Sequence, residues 1–310
     1  MQENTPWLGR RYYPVSHYFQ SRLGSKVAKI SVSVADRCPS RSDGCIFCDE
    51  WGSAAYPKER ERELAEQIRH NREIVARRMK DCRFLVYFQS YTNTLDKVAV
   101  LRQRFETALA QPDICGIVVG TRPDCLPERI FALLDEVSRS HYLMVELGVQ
   151  SFNNDDLAFL KRGHSAERSI EAVHELAAKT SADIGIHLIF GLPGETPEKI
   201  IATAEQVNRL PVTNVKLHNL HVLKNTELAE IYQRGEFVPD ELPEYAEKVI
   251  LFLRHLSPEI SVQRLAALAS RWEELIAPAW TRQKMQPMDY IEGLMRERGM
   301  LQGDLYRSGQ

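Results

Sequence analysis

Strand-like and helix-like segments alternate along most of this chain, and that alternation limits the fold more than any other feature. Residues 26–34 (KVAKISVSV) alternate in polarity as a half-buried strand does. Residues 58–79 are rich in Glu and Arg, with Leu64, Ile68 and Val75 spaced along one helical face. Further strands read at 83–89, 114–121, 142–150, 184–190 and 214–222. Helices read between them at 95–110, 127–138, 166–179 and 197–209, with a short one at 154–160. Pro127 opens its helix, where the missing N–H has no partner to lose.

Strands alternating with helices of this length predict parallel strands joined by right-handed crossovers. Short apolar strands fit a sheet covered on both faces. Six βα units in about 200 residues fall short of a closed eight-unit barrel, which takes roughly 250. The expected fold is α/β: a partial (βα)6 TIM-like barrel over 26–225. An N-terminal extension (1–25) precedes it, and a small α-rich C-terminal extension (226–310) packs on the core. In that extension, 241–256 and 289–298 read as helices and 260–265 as a short extra strand.

Hydrophobic residues at 44% and charged residues at 26% suit a globular chain, not a disordered or fibrous one. A formal net charge of −2 argues against bulk electrostatic binding of nucleic acid, and DNA is not an expected partner. No apolar run approaches the ~18–20 residues of a membrane span. Residues 1–9 show no basic stretch followed by an apolar one, so the expected location is cytoplasmic, without membrane attachment.

In such a compartment structural disulfides are not expected. Three of the six cysteines cluster as Cys38-Pro-Ser-Arg-Ser-Asp-Gly-Cys45-Ile-Phe-Cys48, spaced C-x6-C-x2-C, directly after the first strand. Thiolates favour zinc or iron–sulfur clusters. A four-iron cluster held by three cysteines keeps one iron open for a small molecule, since most such clusters use four. The alternative is structural zinc in a non-catalytic binding protein, with a remote fourth ligand such as His70 or His141. Zinc sites usually offer a second ligand pair, and the sequence has none. Cys82, Cys115 and Cys125 lack paired spacing; the first two read as buried thiols, whereas Cys125 sits just past a strand end and is a substrate-side candidate.

The three-cysteine loop after strand one, Phe47 before its last cysteine and the six βα repeats resemble the radical S-adenosylmethionine (SAM) superfamily. Further motifs carry the resemblance: YFQSYTNT (87–94), GTRPDC (120–125), VELGVQ (145–150), RGH (162–164), GLPGE (191–195) and HNLHVLK (218–224). The set is similar to the YhcC-like branch, related to the radical SAM domain of the Elongator catalytic subunit. C-x3-C is commonest in the superfamily, and longer gaps such as this C-x6-C are usual in the branch.

The resemblance implies a [4Fe–4S] cluster on Cys38, Cys45 and Cys48, with SAM chelating the open iron. It also implies an external one-electron reductant of flavodoxin or ferredoxin type, a 5′-deoxyadenosyl radical and oxygen sensitivity. It favours RNA or a nucleoside as substrate, leaving a small metabolite or a protein side chain open. For SAM it points to the turn carrying Gln89, Tyr91 and Asn93, where Gln-Ser-Tyr-Thr-Asn replaces the family's common Gly-Gly-Glu. It also points to Gln150, Arg162 and the backbone at Gly191.

Read from the residues alone, each of these keeps a plainer alternative. The 89–94 turn is an ordinary capped turn, Arg162 a surface charge, and Gly191 a turn before a helix. Glu146 and Gln150 share one strand face, and two polar groups facing a barrel interior need a ligand or each other. His187 reads either as a cofactor-side residue or as a satisfied core histidine. Arg122 and Asp124 are candidates for substrate contact or a local salt-bridged turn. His218, His221 and Lys224 are substrate-side candidates on a strand where both faces mix polar and apolar residues, and Arg264 reaches toward the rim from the tail.

Overall fold

The computed structural model describes residues 7–35, 38–39, 44–48, 60–89, 91–269, 271–283 and 285–307. Among these residues the strands are β1 (Val27–Val32), β2 (Arg83–Phe88), β3 (Ile114–Thr121), β4 (Tyr142–Gln150), β5 (Asp183–Phe190), β6 (Asn214–Asn219), β7 (Val222–Leu223), β8 (Ser261–Val262) and β9 (Leu275–Ala277). The helices are α1 (Val15–Leu23), α2 (Leu64–Ala76), α3 (Val98–Leu109), α4 (Glu128–Ser140), α5 (Asn154–Phe159), α6 (Ala166–Lys179), α7 (Pro197–Arg209), α8 (Glu227–Gln233), α9 (Leu242–His255) and α10 (Gln286–Glu297).

Seven strands make one curled parallel sheet in the order β1-β2-β3-β4-β5-β6-β8, so the expected partial α/β barrel is the fold. The segment expected at 260–265 supplies its seventh strand. The strand expected at 214–222 stops at Asn219, and β7 leaves to pair antiparallel with β9. Leu220, His221 and Val222 prolong the alternation of β6, so the break carries no signal of its own. α1, α8 and β9 were not expected; α1 buries only Phe19 and has no strong periodicity.

Alternation divides the core. One set of strand side chains, including Ile30, Val86, Val119, Val145, Ile186 and Val215, packs under the covering helices. The other points inward: Val27, Leu85, Tyr87, Val118 and Met144 join Phe19 of α1. Burying each such side chain stabilises by about 1.5–3 kcal/mol. α1 therefore stops the N-terminal end of the barrel, touching both β1 and β8. The backbone leading into it pairs with the last strand, Val262 N–H donating to Tyr13 O at 2.7 Å beside a Pro14–Val262 bridge. No helix among the described residues is long and apolar enough to cross a membrane.

Candidate active site

At the C-terminal ends of the strands lies a cavity of about 310 Å³, the end of parallel αβ barrels where sites are built. Its lining includes Cys38, Cys45 and Cys48. Arg162 Nη1 lies 3.1 Å from Cys45 Sγ, and Arg122 Nη1 lies 3.9 Å from both Cys38 Sγ and Cys45 Sγ. Thr92 Oγ1 is 3.6 Å from Cys38 Sγ. Asp124 grips the Arg122 guanidinium at 2.9 and 2.8 Å, and Arg122 also donates to the Arg162 carbonyl. Arg162 Nη2 donates to Gly148 O at 2.7 Å. A Cβ at position 148 would stand 2.9 Å from Gln150 Nε2 and 3.2 Å from Arg162 Nη2, so a larger residue there would push the ends of both side chains aside. Ile46 anchors the far end of the thiol loop through Ile46 N–Leu160 O (3.3 Å) and Leu228 N–Ile46 O (2.8 Å).

These donors fit an iron–sulfur cluster. All three thiols face one cavity, and two guanidinium groups lie within 3.1–3.9 Å of the Cys38 and Cys45 sulfurs. No three His, Cys, Asp or Glu side chains among the described residues are gathered closely enough to hold a single metal ion. A cubane takes one thiolate per iron and needs only that the thiols surround a common space.

A second group centres on Glu146, which is fully buried. Lys29 Nζ donates to Oε1 at 2.6 Å; His187 Nε2 and Lys216 Nζ donate to Oε2 at 2.7 and 3.3 Å. Lys216 also donates to Tyr87 Oη at 3.0 Å, and both lysines lie over the Tyr87 ring. His187 stacks on His218 at 5.2 Å, and Arg264 Nη2 is 2.8 Å from the His218 ring nitrogens. Burial alone would raise the Glu146 carboxyl; Lys216, Lys29 and His187 outweigh it and hold Glu146 well below the carboxylate range. Burial pushes Lys216 down to about 7, with Glu146 opposing. Burial and nearby cations push His187 and His221 down to about 4, and His218 well below its usual value.

These shifts predict acid lability. Between pH 6.5 and about 4 the imidazoles of His187 and His221 are neutral when folded and protonated when unfolded. The unfolded chain binds more protons there, so stability falls as pH falls, by about 1.4 kcal/mol per pH unit for each imidazole. Glu146, whose folded value is depressed, adds loss in the same direction below 4.5. Urea denaturation at pH 7, 6 and 5 checks this; a flat profile would contradict it.

Of the sequence candidates, Gln89, Tyr91, Glu146, Gln150, Arg162, His187, Arg122, His218, His221 and Arg264 line the cavity with the three thiols. Lys216 and His218 face inward, which settles the orientation of β6; past Asn219 the broken strand lets His221 reach the same space. Asn93 is outside the lining and holds the turn, its amide donating to the carbonyls of Phe88, Gln89 and Gly120 at 3.0–3.2 Å. Gly191 is also outside, with φ +85 and its N–H on Glu195 Oε2 at 2.9 Å. Cys125 is buried outside the lining, 3.7 Å from Asp124 Oδ1, and burial pushes its thiol up to about 12. Lys224 is exposed. Neither His70 nor His141 lines the cavity. Lys29 was missed, although its place opposite in parity to Ile30 and Val32 marks it as inward-facing. Arg271 was missed as well, and nothing in its local sequence singles it out.

The family model for the radical SAM superfamily matches residues 32–207, and that for the radical SAM C-terminal domain matches 212–297. The chain is 34% identical over 285 residues to protein YhcC of Escherichia coli (strain K12), covering 90% of each. Over 147 residues it is 32% identical to the tRNA uridine(34) acetyltransferase of Methanocaldococcus infernus, 46% of this chain and 27% of that protein. The solved structure of the archaeal Methanocaldococcus infernus Elp3 with an N-terminal deletion superposes with a TM-score of 0.69 at 19% identity. That match covers 90% of this chain and 64% of the Elp3 chain, and it is a likeness of fold.

Proposed function

The chain belongs to the radical SAM superfamily and is an enzyme, and from that premise we propose that Cys38, Cys45 and Cys48 bind a [4Fe–4S] cluster with one iron open to SAM. Held by Cys38, Cys45 and Cys48, the cluster would supply one-electron chemistry: an electron from an external flavodoxin- or ferredoxin-type donor would reductively cleave the carbon–sulfur bond of SAM, giving methionine and a 5′-deoxyadenosyl radical able to take hydrogen from the substrate. The observation that carries this reading is the meeting of three closely spaced thiols and two arginines in the cavity at the strand ends.

The residues of the chain have separate tasks. Arg122 and Arg162 offset the negative charge of the thiolates. Gln89, Tyr91, Gln150 and Arg162 hold the methionine and ribose parts of SAM, with Arg162 suited to a carboxylate by its planar fork. Asn93 keeps the turn in shape by gathering three carbonyls. Glu146 fixes His187 and Lys216 in the wall. Residues 26–225 carry the cluster and SAM, and residues 226–310 contribute Arg264 and Arg271 to the cavity. An oxygen-sensitive cluster suits the cytoplasm.

RNA or a nucleoside is the substrate in this reading, supported by the 147-residue likeness to a tRNA-modifying relative. The test is anaerobic reconstitution with iron and sulfide, then dithionite and SAM. 5′-Deoxyadenosine and methionine are expected, in greater yield with cellular RNA. Stoichiometric zinc in a colourless protein, with no SAM cleavage, would replace the proposal with a zinc-stabilised binding protein. Stimulation by metabolite or protein fractions alone would retain the chemistry and reject the RNA substrate.

A further inference from the structure

Among the described residues Arg264 has no carboxylate paired with it. It lines the cavity just beyond β8, its Nη2 rests on the His218 imidazole, and its buried Nε has no hydrogen-bond partner. No carboxylate among the described residues forms an ion pair with it. His221 Nδ1, on the same cavity, is likewise buried and unpartnered. A guanidinium remains charged when desolvated, and a buried charge is costly without an opposite partner. Histidine cannot supply one: the imidazole beside Arg264 is neutral or positive, never negative. Glu146, the carboxylate whose charge acts on Arg264, is already shared by Lys29, Lys216 and His187. Among the described residues this wall therefore carries more positive charge than its carboxylates balance.

We propose that Arg264, with His218 and His221, forms a subsite for an oxyanion, carboxylate or phosphate, carried by the substrate. The inference rests on the radical SAM reading above: there Arg162 takes the SAM carboxylate, so the anion at Arg264 belongs to the second ligand. The fork of Arg264 takes two oxygens side by side, and His221 Nδ1 meets a third polar atom of the same ligand.

The test uses cluster-loaded protein saturated with SAM, titrated calorimetrically with inorganic phosphate and, separately, with acetate. Saturable binding of phosphate marks a phosphate-bearing substrate, and binding of acetate alone marks a carboxylate. Arg264→Gln weakens binding roughly ten- to hundredfold, and Arg264→Lys, which keeps the charge but loses the fork, falls between. If neither anion binds the wild type, or Arg264→Gln binds as tightly as the wild type, the subsite is overturned. Should Arg264→Gln not fold, phenylglyoxal labelling of the wild type decides: the bound anion protects Arg264, and equal labelling with and without it overturns the proposal. Iron content, read on the same samples, reports on the thiol loop separately, so loss of the cluster reading and loss of the subsite are distinct results.

Discussion

Glu146→Leu is expected to destabilise the protein by about 3–5 kcal/mol, the cost of removing one member of a buried ion cluster while the others stay behind. Three side chains depend on this carboxylate. Lys29 at 2.6 Å and Lys216 at 3.3 Å lose their counter-charge, and His187 loses the acceptor that orients its ring. Lys216 then keeps only Tyr87 Oη, a neutral acceptor. Burial and the neighbouring lysine both favour its neutral form, so without Glu146 to oppose them Lys216 is expected to release its proton at a lower pH than the value of about 7 it has in the wild type. Glu146→Gln retains the shape and part of the hydrogen bonding, and should lose less. Urea midpoints at pH 7 check this, with an unchanged denaturant slope showing that only stability has moved. A loss below 1 kcal/mol for Glu146→Leu would mean that the lysines reach water and that the network is not a closed unit.

Cys45→Ala is expected to abolish cluster retention and with it SAM cleavage, leaving 5′-deoxyadenosine at background. Cys45 is the thiol in closest contact with the arginines, 3.1 Å from Arg162 and 3.9 Å from Arg122. In the proposed site, removing its sulfur would leave two thiolates for a cluster that already lacks a fourth. Cys82→Ala is the control. That thiol lies outside the cavity, with its Sγ on the Met79 carbonyl at 3.3 Å, and the variant should keep its full iron. Iron analysis and visible absorption separate the two. A Cys45→Ala protein with wild-type iron would remove Cys45 from the ligand set.

The sequence was most legible where the physics is local. β3 and β4 fall at 114–121 and 142–150 as read, because strands buried on both faces form unbroken apolar runs bounded by turns. Ser165 and Thr196 cap α6 and α7 through their hydroxyls, so those helix starts were legible too. The thiol loop was legible from spacing alone. What remained hidden depends on partners far away in sequence. Glu146 showed itself as a polar residue on an apolar strand, but its lysine lies 117 residues earlier. The orientation of β6 was undecided because both faces mix polar and apolar residues; the Lys216–Glu146 pairing decides it. Asn93 and Gly191 resemble ligand contacts in sequence, yet their hydrogen bonds go to the turn and to Glu195, choices that only the folded chain reveals.

The short helix α1, wedged across the foot of the barrel with Phe19 against Tyr87 and Met144, has a consequence for traffic. With α1 packed there, the described residues open the cavity at the opposite end, and in the proposed reaction SAM, substrate and products would share that doorway. If that reaction consumes SAM, methionine and 5′-deoxyadenosine would have to depart before a fresh molecule of SAM could settle, so clearance and reloading would compete for the same passage.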